Sequence, residues 1–411
     1  MTQSSALKAL GFVMAMLVGA AALIWFNQRT TPDLDGIDTL LNSKRFSESE
    51  ARIETYLKTF PRSVPANILM AQIALTRPDP KPQLALRHLA RVDESGRGIV
   101  AVVRLNQGKA YSILGKHDQA EASWLEALRL DPLVPEAGWA LLGLYYVQGR
   151  RDEAGTLALR LHASEPDPRD RVRLLLELLR QDAQPIGAYS RVTTFEPIVR
   201  DHPDELHATI ALGLALIRDS RPDRGLSLLR DAITRHPDSV PCRLALLQGL
   251  DDAARPEELP EALDHLPNNM RDDARFDRFR GVAATALRDW RCAAAAFLGA
   301  WRNDPSDQTS LFRLIRTLRA SGRNDEAERY EPASRAAAEA SKTSLPLYER
   351  ANAVPDLGAS PDLGLYREIA KHREHAGRPG EALAWHRLIL KEHPDDSESL
   401  TAIARMEGSW K

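Results

Sequence analysis

The sequence predicts an all-α chain, a solenoid of stacked antiparallel helix pairs preceded by one membrane-spanning helix. Three observations carry this. Prolines that follow an acidic or histidine residue recur at a fixed interval, and the apolar residues between them recur every three or four positions. An uncharged apolar run stands near the amino terminus.

Composition narrows the class further. The 411 residues are 43% hydrophobic, ample for a sizeable core, which rules out generic disorder. Lysine and arginine number 55 against 57 acids, a net charge of −2, so the chain lacks the broad basic field that drives non-specific nucleic-acid binding. Two cysteines cannot make a disulfide framework or a four-thiolate metal site.

Residues 1–29 read as a short tail and an anchor. From Ala9 to Phe26 no side chain is charged or strongly polar, and Lys8 and Arg29 flank the run. As a helix it would measure roughly 27 Å, close to the hydrocarbon thickness of a bilayer. The rival is a cleaved signal peptide, on the small residues Ala20, Ala21 and Ala22. The run continues through Leu23, Ile24, Trp25 and Phe26, however, which favours a retained anchor. Residues 30–36, with Pro32, form a juxtamembrane linker. The expected placement is a single-pass protein of a bacterial inner membrane with its repeat region outside the cytoplasm.

The repeat region is expected over 37–340. Pro132 and Pro166 are 34 residues apart, as are Pro203 and Pro237, and Pro305 follows Pro237 at twice that interval. The same offset relates Tyr111 to Tyr145, Gly115 to Gly149 and Ala120 to Ala154. Within Ala101–Val134, apolar residues at helical spacing lie on both sides of a break at Leu114-Gly115-Lys116, so each unit is two amphipathic helices. Gly108 and Ala120 permit close approach, Tyr111 and Trp124 fill the wider gaps, and Pro132 ends the second helix.

In these residues the chain resembles the tetratricopeptide repeat family, whose small, aromatic and proline positions match Gly108, Tyr111, Gly115, Ala120, Trp124, Ala127 and Pro132. Units 101–134, 135–168, 206–239 and 274–307 keep the pattern best. The unit at 169–205 is three residues longer than the period, and 240–273 keeps only its length and its leucines. Register is lost toward 341–361, where Pro346, Pro355, Gly358 and Pro361 suggest a loose linker. Residues 362–411 would supply a last pair and a capping helix. The resemblance implies a right-handed superhelix whose first helices line a concave groove for segments of other proteins, and a scaffold or adaptor without catalysis or cofactor. Self-association stays open, because terminal units can stack on a second copy.

Arg275, Arg278, Phe279, Phe312, Arg313, Arg316 and Arg319 fall on first-helix positions expected to face that groove. Arginine forks around aromatic anchors suit an acidic peptide or a terminal carboxylate; the plain alternative is a solvated arginine-rich face. Asn106, Lys109, Trp139 and Tyr146 make a second patch. Chaperone-binding members of the family clamp a carboxylate with lysine and asparagine, which Asn106 and Lys109 match and the following unit does not continue. His372, His375 and His386 are the one cluster that could be drawn as a metal or enzyme site, although the HExxH order is missing. His202-Pro203-Asp204, His236-Pro237-Asp238 and His393-Pro394-Asp395 read as repeat boundaries, and Cys242 and Cys292 as buried thiols.

Overall fold

The computed structural model describes residues 44–408 with the exception of Leu133. The expected anchor at 9–26 and linker at 30–36 lie outside the described residues. Among the described residues, no helix is long and apolar enough to cross a membrane, and every regular element is a helix.

In chain order the α-helices are α1 (Phe46–Thr59), α2 (Val64–Thr76), α3 (Pro82–Leu89), α4 (Arg97–Ile113), α5 (His117–Leu130), α6 (Pro135–Gln148) and α7 (Arg151–Ser164). They continue as α8 (Pro168–Ala183), α9 (Ala188–Asp201), α10 (Leu206–Arg218), α11 (Pro222–Arg235), α12 (Val240–Asp252) and α13 (Leu259–Asp264). The last are α14 (Asp277–Ala286), α15 (Trp290–Asn303), α16 (Gln308–Ala320), α17 (Asn324–Ala353), α18 (Leu363–His375), α19 (Pro379–Glu392) and α20 (Ser397–Gly408). They form two compact units, Met1–Leu144 and Tyr145–Lys411, divided within α6.

The exchange of small for large residues between paired helices is visible at one spacing. A Cβ on Gly108 would sit 2.3 Å from the Trp124 ring, one on Gly213 2.7 Å from Leu229, and one on Gly281 2.6 Å from Phe297. Each glycine of a first helix thus makes room for the large residue of its second helix, sixteen positions on. The Trp124 indole also donates to the Leu105 carbonyl at 3.2 Å, which satisfies its buried N–H.

The turn inside each pair carries the period further than the sequence motif does. A residue with positive φ stands at Gly115, Gly149, Ser220, Ala254, Arg288 and Gly322. Successive members are 34 apart, except across the longer unit 169–205. This left-handed residue ends the first helix and lets the chain reverse. Ser220, Ala254 and Arg288 hold the conformation without glycine's freedom, at a cost of about 1 kcal/mol each.

Within Met1–Leu144, α1 to α5 pack each on the next. Ile53, Tyr56 and Leu57 meet Ala66, Met70 and Ile73, and a second cluster joins Ile68, Leu75, Leu89, Val103 and Ala110.

Within Tyr145–Lys411 the same rule holds with one degenerate member. After α12, prolines 256, 260 and 267 break the expected second helix into short turns around α13. Leu259, Leu266 and Met270 still fill its place in the core beside Phe276 and Phe279. His202, His236 and His393 are C-cap residues of α9, α11 and α19, so the three His-Pro-Asp triplets are helix stops. The closing helix α20 packs on α19 through Ala402 and Met406.

Two expectations are corrected here. Residues 341–353 are not a loose linker: α17 continues to Ala353 through Pro332 and Pro346. The alanine-rich stretch 333–340 favours the helix, and its inner side, Leu347 and Ala351, is buried against α8. Only 354–361 leaves the helix, and it is packed down. The Tyr366 hydroxyl donates to the Leu357 carbonyl at 2.8 Å, and a Cβ on Gly358 would lie 2.5 Å from the Arg169 backbone.

The second correction concerns the end of the stack in this unit. The last pair, α18 and α19, does not finish an open row. α8 packs on α17 and α19, and α7 on α19. Val172, Leu175 and Leu179 of α8 share one apolar cluster with Leu347 and Ala351 of α17, Tyr366 and Ile369 of α18, and Trp385 and Ile389 of α19. The helix pairs of this unit therefore run in a closed circuit.

Candidate functional site

Two sets of residues merit separate description, the arginines expected from the sequence and a polar cavity where the circuit closes. Arg278 on α14 and Arg313 on α16 converge on one carboxylate, Asp251 of α12. Arg278 reaches it at 3.0 Å and Arg313 grips both oxygens at 2.8 and 2.9 Å. Burial pushes the Asp251 carboxyl up, but Arg313 and Arg278 outweigh that and hold it below the ordinary range. These two arginines thus tie three first helices together and are already paired.

Arg275 is committed to Asp273 at 2.6 Å, and Arg319 bonds Glu331. Phe279 is a correction: it is buried in the core, where its ring completes the cluster around Leu259 and Met270. Phe312 and Arg316 remain. Phe312 is 54% exposed and the Arg316 guanidinium lies 5.7 Å from its ring centre, a cation–π pair on the open side of α16.

The second predicted patch divides between the two units. Asn106 is a correction, for it is buried and donates to the Val102 carbonyl at 2.8 Å inside its own helix. Lys109 has its pKa lowered by burial, with Glu136 partly opposing. Trp139 is half-buried. Tyr146 belongs to Tyr145–Lys411, where Arg180 stacks over its ring at 4.3 Å and its hydroxyl donates to the Gln184 carbonyl.

The three C-terminal histidines do not converge. His372 is buried; it accepts from Arg373 at Nδ1 and donates from Nε2 to the Ala340 carbonyl at 2.9 Å. That bonding fixes the neutral Nε2–H form. Burial, then the Arg373 charge, lower its pKa to about 4. His386 is buried in the place Trp124 takes in its own pair, held between Glu374 and Ser399 at 3.0 Å each. His375 is exposed. Cys292 is also exposed, contrary to expectation, because it sits on the outer side of the first turn of α15; Cys242 is buried.

The cavity lies where α7 and α8 meet α18 and α19. Four charged side chains alternate in sign across the closure. Arg151 grips Asp182 at 2.8 and 3.0 Å and reaches Glu381 at 2.7 Å. Arg373, only 1% exposed, bonds the same two acids at 2.6 and 3.2 Å. Outside them Arg378 pairs with Asp152 at 2.7 Å. Burial alone would raise the Asp182 carboxyl, yet Arg151 and Arg373 lower it to about 2. Tyr145, Tyr146, Gln181, Arg191, Ser306 and Gln308 also line the cavity, which measures about 360 Å³. Sequence reading passed over this site, since its partners are separated by up to 230 positions and no local motif marks them.

Comparison with known proteins agrees with the repeat geometry. Residues 105–170 match the tetratricopeptide repeat family model. No curated protein sequence matches the chain. Among solved structures, the APC/C hetero-tetramer Cut9–Hcn1 is similar at 14% identity and a TM-score of 0.34, covering 97% of this chain and 94% of that one. A human IFIT1 dimer with m7Gppp-AAAA is similar at 14% identity and 0.33, covering 84% and 81%. The tetratricopeptide repeat domain of P58(IPK) is similar at 15% and 0.25, covering 91% and 96%. These TM-scores add nothing to the fold read from the helices themselves. The family match at 105–170 falls on the helices that carry the Gly108–Trp124 exchange and the left-handed turns at Gly115 and Gly149.

Proposed function

We propose that the protein is a membrane-tethered scaffold that holds segments of partner proteins against the exposed side of its first helices, with no chemistry of its own. The observation that carries this reading is the Phe312–Arg316 pair. A large aromatic is left in solvent with a guanidinium over its face, while the neighbouring Arg278 and Arg313 are spent on the buried Asp251 side chain and Arg319 on Glu331 at the surface. Such an aromatic–arginine pair is the usual composition of a binding hot spot. The Arg316 guanidinium, which sits beside Phe312, favours an acidic segment. The tetratricopeptide repeats at 105–170 support the scaffold role, and the apolar run at 9–26 supports a tether, with the helical region outside the cytoplasm.

The test is photocrosslinking from position 312 in intact membranes, with and without Arg316→Glu. A discrete adduct that disappears in the Arg316→Glu protein, at unchanged helicity, is the expected result. Adducts of equal yield in both proteins would remove the pair from the binding surface. A reporter fused after Lys411 reads the side of the membrane.

A further inference from the structure

The cavity in Tyr145–Lys411 is independent of the Phe312 surface, and its charges do not balance. Arg151 and Arg373 are matched by Asp182 and Glu381, and Arg378 by Asp152. Arg191 is left over. Its Nε donates to the Val147 carbonyl at 3.1 Å, and among the described residues no carboxylate pairs with it.

The guanidinium is nonetheless held in place. Its Nε bond fixes it to the end of α6, and its outer nitrogens lie against the turn at Gly149, where a Cβ would come within 3.2 Å of Nη2. Both burial and the like charge of Arg218 disfavour its cationic form, so the site gains from a negative partner. Among the described residues Nη1 and Nη2 have no hydrogen-bond partner, and they make the two-pronged end that fits a carboxylate.

The rest of the lining is neutral or already paired. Tyr145 and Tyr146 line it with Arg150 and Arg180 stacked over their rings, and Gln181, Gln308 and Ser306, which donate to Glu177, the Ala337 carbonyl and Asp304, add amide and hydroxyl oxygens together with Ser341. A volume of about 360 Å³ is at the small end of ligand cavities. One uncompensated cation matches one negative charge, which suits a carboxylate better than a phosphate near −2.

We propose that this cavity binds a carboxylate carried on a small polar body, with Arg191 pairing to it and the tyrosines and amides holding the body. A free small acid and the last residue of a protein chain present the same group, and the probes below separate them.

The test is calorimetric titration of the purified full chain with four probes: N-acetyl-alanine, N-acetyl-alanine amide, an alanine-ended octapeptide with a free carboxylate, and inorganic phosphate. The expected result is binding of N-acetyl-alanine, none of its amide, and at least tenfold weaker binding of phosphate. Arg191→Gln should weaken the carboxylate at least tenfold with unchanged helicity and melting temperature, and Arg191→Lys should fall between. Octapeptide binding at least as tight as N-acetyl-alanine assigns the site to chain ends, and weaker binding assigns it to free acids. No binding of either free carboxylate at 10 mM, equal binding of the amide, tighter binding of phosphate, or full affinity in a folded Arg191→Gln protein overturns the proposal. Crosslinking at position 312 reads a different surface, so either result can fail alone.

Discussion

Replacing Arg373 with methionine probes the closure of the helix circuit at its most buried point. The side chain is 1% exposed and bonds both Asp182 and Glu381. Methionine fills much of the same volume but removes the charge, so the two acids are left facing Arg151 alone, one uncompensated negative charge in a poorly solvated place. Breaking a buried ionic network by deleting one member costs about 3–5 kcal/mol. For a unit of this size that is a fall in melting temperature of roughly 6–20 °C. The assay is thermal unfolding followed by circular dichroism, with hydrogen exchange to locate the loss. Exchange should rise first in α8, α18 and α19, the helices that meet at the closure. Adding Glu381→Gln to Arg373→Met should recover part of the loss, since it restores charge balance beside Arg151 and Asp182. A fall below about 1 kcal/mol, or faster exchange spread evenly over the unit, would refute the reasoning.

Acidification should act on the same closure. His372 is neutral in the folded chain with a pKa of about 4, against about 6.5 unfolded. Between those values the unfolded chain binds a proton that the folded chain does not, so stability falls as pH drops from 6.5 toward 4, by up to about 3 kcal/mol, and is constant above. Urea titrations across that range should show the slope, and His372→Gln should flatten it. Asp182 works in a lower window: its carboxyl is held at about 2, so its contribution is complete above about 4 and is lost as pH falls through 2. In the pair turns, Ala254→Gly and Arg288→Gly should each stabilise by about 1 kcal/mol, because both positions have positive φ. A loss of stability in both variants would show that these side chains contribute packing that outweighs the strain.

The helix pairs were legible because their causes are local. Gly108 and Trp124 lie in adjacent helices sixteen residues apart, and prolines mark the stops, so periodicity alone locates them. The turn itself had no sign in some units whose length kept the register: Ala254 and Arg288 make the same left-handed turn as Gly115 without being glycine. The continuation of α17 through Pro346 was hidden for a related reason, because the burial of Leu347 and Ala351 against α8 decides it rather than propensity. Among the site residues, Arg278 and Arg313 were placed on adjoining first helices, but Asp251, which pairs with both, sits up to 62 positions away. Phe279 was misassigned because a first helix of this degenerate neighbourhood turns that ring toward Leu259 and Met270. The cavity depends wholly on pairs such as Arg373 with Asp182, 191 positions apart, and only tertiary closure brings them together.

Closure is tested most directly by linking Asp152 to Arg378, whose side chains meet at 2.7 Å although 226 positions separate them. In a Cys242→Ser, Cys292→Ser background, cysteines at 152 and 378 and a short bis-maleimide should give an intramolecular link in nearly every molecule at sub-micromolar protein. The Arg373→Met change should lower the yield. An open row of helix pairs would hold the two positions far apart, and failure to form the link in the otherwise unaltered chain would contradict the closed circuit.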